Sequence, residues 1–145
     1  MSAPADEPLP EVVCFCGERM VLTTRKVVAM NPKAYVRVWA CQRVWPEVCT
    51  GEATAGNVGC APISKPADAE TRRLRVEAHK VFDRLWRADG QAHSGTRRAA
   101  TYRKMREALG LSEAEAHMAQ MDAERCRLVI AWAQREAALR ELEKP

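Results

Sequence analysis

Cys14-Phe15-Cys16-Gly17-Glu18-Arg19-Met20-Val21-Leu22, answered by Val38-Trp39-Ala40-Cys41-Gln42-Arg43-Val44-Trp45-Pro46-Glu47-Val48-Cys49-Thr50-Gly51, decides how this chain is read. Of the six cysteines in its 145 residues, Cys14, Cys16, Cys41, Cys49 and Cys60 share one short stretch, and only Cys126 stands apart. A sheet too small to bury a sufficient core can be held by a metal, and zinc accepts a tetrahedron of thiolates without electronic preference. Cys14 and Cys16 form the first pair, with Gly17 turning the chain behind it. Cys41 and Cys49 form the second, with Cys60 held in reserve. The C-x-C spacing is tighter, and the C-x₇-C spacing longer, than the usual two to four intervening residues. Two other readings stay open: small buried hydrophobes without metal, and disulfides.

Working outward, Met20–Thr24 and Val27-Val28 favour strand, and Tyr35–Trp39 alternates, with Tyr35 and Arg37 on one face and Val36 and Val38 on the other. Asn31-Pro32 marks the turn between them. Residues 1–11, with Pro4, Pro8 and Pro10, read as a flexible lead-in, 12–61 as the cysteine module and 62–66 as a linker. Residues 67–145 read as a helical domain.

Within that domain Leu74, Ala78, Val81, Phe82 and Leu85 form a stripe from about residue 67 to 88, with Asp68 as N-cap and Gly90 as the stop. A second helix spans roughly Thr96–Leu109, with Ala99, Tyr102, Met105 and Leu109 inward and Gly110 as its C-cap. Ser112-Glu113-Ala114-Glu115 is a capping box for a short third helix. Asp122 caps a fourth, whose stripe is Cys126, Val129, Ile130, Ala133 and Ala137. The expected fold class is α+β: an N-terminal zinc-ribbon-like β module followed by a three- to four-helix bundle.

The formal charge of +4 is unevenly placed. Arg72 to Arg106 holds eleven Lys/Arg against Glu77, Asp83 and Asp89, whereas the chain beyond Glu107 is mildly acidic. Such a stretch attracts phosphate, nucleic acid or an acidic protein surface, or forms the solvated faces of Arg-rich helices. Residues 97–121 have helix–turn–helix form. Their second helix, with Glu113 and Glu115 and no Lys or Arg, is a poor groove reader. The better surface is Arg72, Arg73, Arg75, Arg97, Arg98, Arg103, Lys104 and Arg106. His79 and Asp83, four apart, form a candidate pair, as do His117 and Cys126, although a surface pair and a core thiol are the plainer readings.

No phosphate-binding loop, dinucleotide fingerprint, nucleophile elbow or His-Glu-x-x-His motif is present, and three histidines leave little for acid–base chemistry. The expectation is no enzyme. The start lacks the basic and apolar regions of a secretory signal, and no run approaches the roughly 20 apolar residues of a membrane span. A cytoplasmic location with reduced thiols is therefore expected.

Two resemblances extend this reading. The Cys-Phe-Cys-Gly…Met-Val…Trp-Ala-Cys…Trp-Pro-Glu-Val-Cys wording resembles the zinc ribbons at the C-terminal end of type IA topoisomerases. That likeness implies Cys14, Cys16, Cys41 and Cys49 as ligands and single-stranded DNA held by Arg37, Trp39, Arg43 and Trp45. Tryptophans packed over the metal turns are the alternative. From Val-Gly-Cys through Pro-Ala-Asp-Ala-Glu-Thr-Arg-Arg-Leu-Arg-Val-Glu-Ala-His-Lys-Val-Phe-Asp-Arg-Leu-Trp to Tyr102, Leu109-Gly110, His117 and Cys126, the chain resembles small zinc-finger-containing phage and prophage proteins without an assigned function. Ala61 stands where a His often follows Val-Gly-Cys there. Two roles follow: a nucleic-acid-binding accessory protein of phage type, or a phage regulator or inhibitor whose basic helical face docks on an acidic host protein, both in the host cytoplasm.

Overall fold

The computed structural model describes residues 8–26, 35–56, 59–87 and 95–143. Val27-Val28, the Asn31-Pro32 turn, Gly90 and most of the lead-in lie outside them. The chain divides into two compact units, residues 1–69 and 70–145.

In the first unit, β1 (Met20–Lys26), β2 (Tyr35–Cys41) and β3 (Glu52–Thr54) form an antiparallel sheet in the order β1-β2-β3. The β1–β2 register opposes Met20 to Cys41 and Leu22 to Trp39, and the β2–β3 register opposes Trp39 to Ala53. Met20 follows directly on the first cysteine turn and Cys41 opens the second, so this register sets both cysteine pairs at one end of the sheet. The expected alternation in β2 holds at Tyr35 and Arg37, which are exposed, and at Val38, which is buried. Trp39 is buried as well, so β2 is covered on both faces at its centre. Val12, Cys14, Met20, Trp39, Ala53 and Ala55 form the core, with Cys16, Leu22, Cys41, Cys49 and Cys60 packed against it.

Residues 62–66, read above as a linker, run back along β3. Ile63 donates its N–H to the Thr54 carbonyl at 2.9 Å, Ala67 and Glu52 exchange both backbone bonds, and Ala55 bridges Pro62. These bonds occupy the edge that β3 would otherwise expose.

The second unit contains α1 (Ala69–Trp86, whose first residue belongs to the first unit), α2 (Gly95–Leu109) and α3 (Ala123–Glu143), with a 3₁₀ turn at Met118–Gln120. Its core joins Ala78, Phe82, Leu85 and Trp86 of α1 to Met105 of α2 and to Cys126, Val129, Trp132 and Ala133 of α3. Ala116, Met118 and Met121 close it from the connecting segment. The short third helix expected at 112–121 is instead a turn followed by the 3₁₀ turn. The capping box forms nonetheless. Ser112 N–H donates to Glu115 Oε1 and Glu115 N–H to Ser112 Oγ, both at 3.2 Å.

The helix ends follow local chemistry. Gly110 has φ +65° and lets Leu111 N–H reach the Arg106 carbonyl at 3.0 Å. Asp122 Oδ1 accepts the Arg125 N–H at 2.8 Å, capping α3 as expected. No helix among the described residues is long and apolar enough to cross a membrane.

Candidate metal centre

The first cysteine turn is a tight hairpin. Val13 bridges Arg19, Cys14 N–H donates to the Glu18 carbonyl at 2.8 Å, and Gly17 N–H donates to the Cys14 carbonyl at 2.9 Å. Gly17 sits at φ +93°, a conformation that disfavours any Cβ. The second turn is a longer loop closed twice at its base. Cys49 N–H donates to the Arg43 carbonyl at 3.0 Å and Cys41 N–H to the Gly51 carbonyl at 2.9 Å. The extra residues of the C-x₇-C spacing thus bulge outward, while the two sulfurs meet at the base.

The thiols of Cys14, Cys16, Cys41 and Cys49 all lie within 4.8 Å of one another. Cys14 and Cys49 Sγ are 3.8 Å apart, and Cys16 and Cys41 Sγ 3.5 Å apart. A Zn–S bond of about 2.3 Å sets the edge of a ZnS₄ tetrahedron at about 3.8 Å. The Cys14–Cys49 edge is therefore already at that length, the Cys16–Cys41 edge is about 0.3 Å shorter, and no edge is more than about 1 Å longer. A disulfide needs sulfurs at about 2.05 Å, and all six cysteines are free. The four cysteines suit structural zinc binding.

Backbone polarity prepares the same chemistry. Glu18 N–H bonds to the Cys16 sulfur two residues before it and draws that thiol down to about 7. Burial is the larger effect at Cys14, pushed up to about 12, and at Cys41, also raised. The backbone N–H groups of Cys16 and Arg43 oppose it there. Three sulfurs thus receive main-chain donors aimed at negative charge, yet burial resists that charge at two of them. A dication resolves the conflict by stabilising all four thiolates together.

Gly51 completes the site. A Cβ placed there would lie 2.3 Å from Cys14 Sγ and 3.4 Å from Cys49 Sγ. The second turn packs its backbone onto the first turn's sulfur, which only glycine permits. The signal was a glycine two residues after Cys49, echoing Gly17 after Cys16.

Cys60, the reserve ligand, is not in the cluster. Its thiol accepts from Arg37 Nη1 at 3.2 Å and its carbonyl from Trp39 Nε1 at 2.7 Å. Trp39 is therefore corrected from a binding residue to a core residue, since at 3% exposure it offers no face for stacking. Trp45 is 81% exposed. Arg43 is half-buried, its Nε donating to the Trp45 carbonyl at 3.3 Å, and Arg37 is exposed.

Among the basic residues of the second unit, Arg75 is also corrected. It is 9% exposed and donates Nε–H to the Met121 carbonyl at 2.8 Å, tying α1 to the connecting segment. Arg73, Arg97, Arg98, Arg103 and Lys104 are exposed, while Arg72 and Arg106 are half-buried. Asp83 accepts from Trp86 Nε1 at 2.9 Å, a structural use that the expected His79 pairing did not foresee. His117 is exposed and Cys126 fully buried, and neither belongs to a metal-holding group among the described residues.

Residues 10–136 match the model of the zinc-finger-containing domain family DUF3268. No curated protein and no solved structure matches the chain.

Proposed function

The chain belongs to the zinc-finger-containing domain family, and on that premise we propose that it is a non-enzymatic, nucleic-acid-binding accessory protein of phage type acting in the host cytoplasm. The zinc holds the first unit's fold and does no chemistry. The observation that carries this reading is the character of α2. The helix buries only Thr101 and Met105 and presents Arg97, Arg98, Arg103 and Lys104 to solvent. Glu107 is the only acidic residue in the helix. A helix that gives so little to the core and so much positive charge to solvent suits a polyanion.

The exposed Trp45 ring on the second cysteine turn supports single-stranded DNA as the favoured form, because a base can stack on it irrespective of sequence. Four cations contacting a single strand set a slope of about −3 for log K against log salt concentration. Changing Arg97, Arg98 and Lys104 to Glu should abolish that slope. Trp45→Ala should cost about 1–3 kcal/mol of binding while leaving the slope intact. Absence of binding at low salt would remove the nucleic-acid role and leave docking of the basic face on an acidic host protein.

A further inference from the structure

A cavity of about 320 Å³ opens in the helical unit beside α2. One wall comes from α2, where Arg98, Tyr102 and Arg106 follow at spacings of four and so share a face. The other comes from the turn that replaced the expected third helix, with Ala116 and His117 behind Glu113. The volume lies at the lower end of the range of small-molecule sites, and the lining sets Ala99, Ala116 and the Tyr102 ring beside charged groups.

Three observations define what would enter. First, two guanidinium groups, Arg98 and Arg106, line the cavity with one carboxylate, Glu113, which is 90% exposed and lies 3.9 Å from Arg106 Nη1, a weak ion pair. Second, Arg106 Nε is buried and has no hydrogen-bond partner among the described residues, so this guanidinium is held without its full set of acceptors. Third, the Tyr102 ring is fixed between Phe82, at 4.4 Å between ring centroids, and the Arg98 guanidinium, 5.2 Å above it. The aromatic wall is thus braced from the core, and Arg98 is already posed over it.

The geometry points to a binding site for a small organic oxyanion, a ligand with a phosphate or carboxylate on a compact apolar body. Arg98 and Arg106 take the oxyanion, displacing Glu113 from its loose pairing. Tyr102 and Ala116 take the apolar body. A concave site of this size fits a discrete molecule better than a polynucleotide backbone, and it stands whether or not α2 binds DNA.

Phenyl phosphate, benzoate and inorganic phosphate, titrated into the full chain and followed by backbone amide NMR shifts, test the site. Phenyl phosphate or benzoate should shift the amides of residues 98–106 and 113–117 saturably, with Kd about 1 mM or tighter. Inorganic phosphate should bind at least about tenfold more weakly, since it has no apolar body. Arg106→Gln, and the exposed and structurally milder Arg98→Gln, should each weaken binding about tenfold or more. Arg103→Gln should leave it within about twofold. Non-saturable shifts, equal losses in Arg103→Gln and Arg98→Gln, or equal affinity for inorganic phosphate would overturn the assignment.

Discussion

Gly51→Ala is the smallest change that should break the metal centre. Its Cβ would stand 2.3 Å from Cys14 Sγ and 3.3 Å from Phe15 Cε1, whereas ordinary contact begins near 3.4 Å. The sulfur must then retreat by about 1 Å, several times the roughly 0.2 Å tolerance of a metal–ligand distance. Nor is the backbone free to yield, because the Gly51 carbonyl holds the Cys41 N–H at 2.9 Å and Cys41 is itself a ligand. Relief at Cys14 therefore costs alignment at Cys41. Changes in the shell around a metal typically lose 10- to 100-fold in affinity, about 1.4–2.8 kcal/mol, and this one should lose at least that much. A competition titration against a chromogenic zinc chelator measures it. Gly95→Ala is the control, since a Cβ there meets nothing within 4 Å and no positive φ is involved. Zinc affinity of Gly51→Ala within about twofold of the parent would refute the steric argument.

Acid and alkali should act oppositely on the loaded and stripped protein. In the metal-free fold, Cys14 and Cys41 have raised pKa values. Their contribution is complete below the unfolded value of 9.0 and is lost as pH climbs toward the Cys14 value of about 12. Cys16 works the other way, its contribution present above 9.0 and lost as pH falls through about 7. With zinc bound, protons compete for all four sulfurs, so stability holds through pH 9.0 and fails on acidification. Thermal midpoints across pH, with and without chelator, check this, and identical profiles would contradict it. The two tryptophans of the cysteine module also separate: Trp39→Ala should cost about 3–5 kcal/mol of stability, against about 0.5 kcal/mol or less for Trp45→Ala, by chemical denaturation. Equal losses would mean that Trp45 also belongs to the core.

Local chemistry was legible in the sequence wherever one segment determines its own structure. The Ser112–Glu115 box, the Gly110 turn and the Asp122 cap all form, because each needs only neighbours within three or four residues. The box nonetheless caps no α-helix, since His117 is extended and the 3₁₀ turn that follows it leads Met118 and Met121 into the core. Phase errors mark where a helix has little core to meet. In α2 the expected Ala99 is exposed and Thr101 is buried, its hydroxyl donating to the Arg97 carbonyl at 2.8 Å. In α3, Ala137 lies past the core and Trp132 extends the stripe instead. The four-cysteine set was visible from pairing alone. What pairing does not contain is who covers whom: Trp39 and Trp45 look equivalent in sequence, but the β2 register opposes one to Leu22 and the loop leaves the other outside. Gly51 was hidden for the same reason, because the space that it vacates is filled by a residue far away in the chain.

X-ray absorption at the zinc edge of the purified chain, paired with metal analysis, tests the four-cysteine centre most directly. One zinc per chain with four sulfurs at about 2.3 Å is expected, unchanged in Cys60→Ser and disrupted in Cys41→Ser. A first shell containing nitrogen or oxygen, or a folded chain without zinc whose stability ignores Cys41→Ser, would contradict the account.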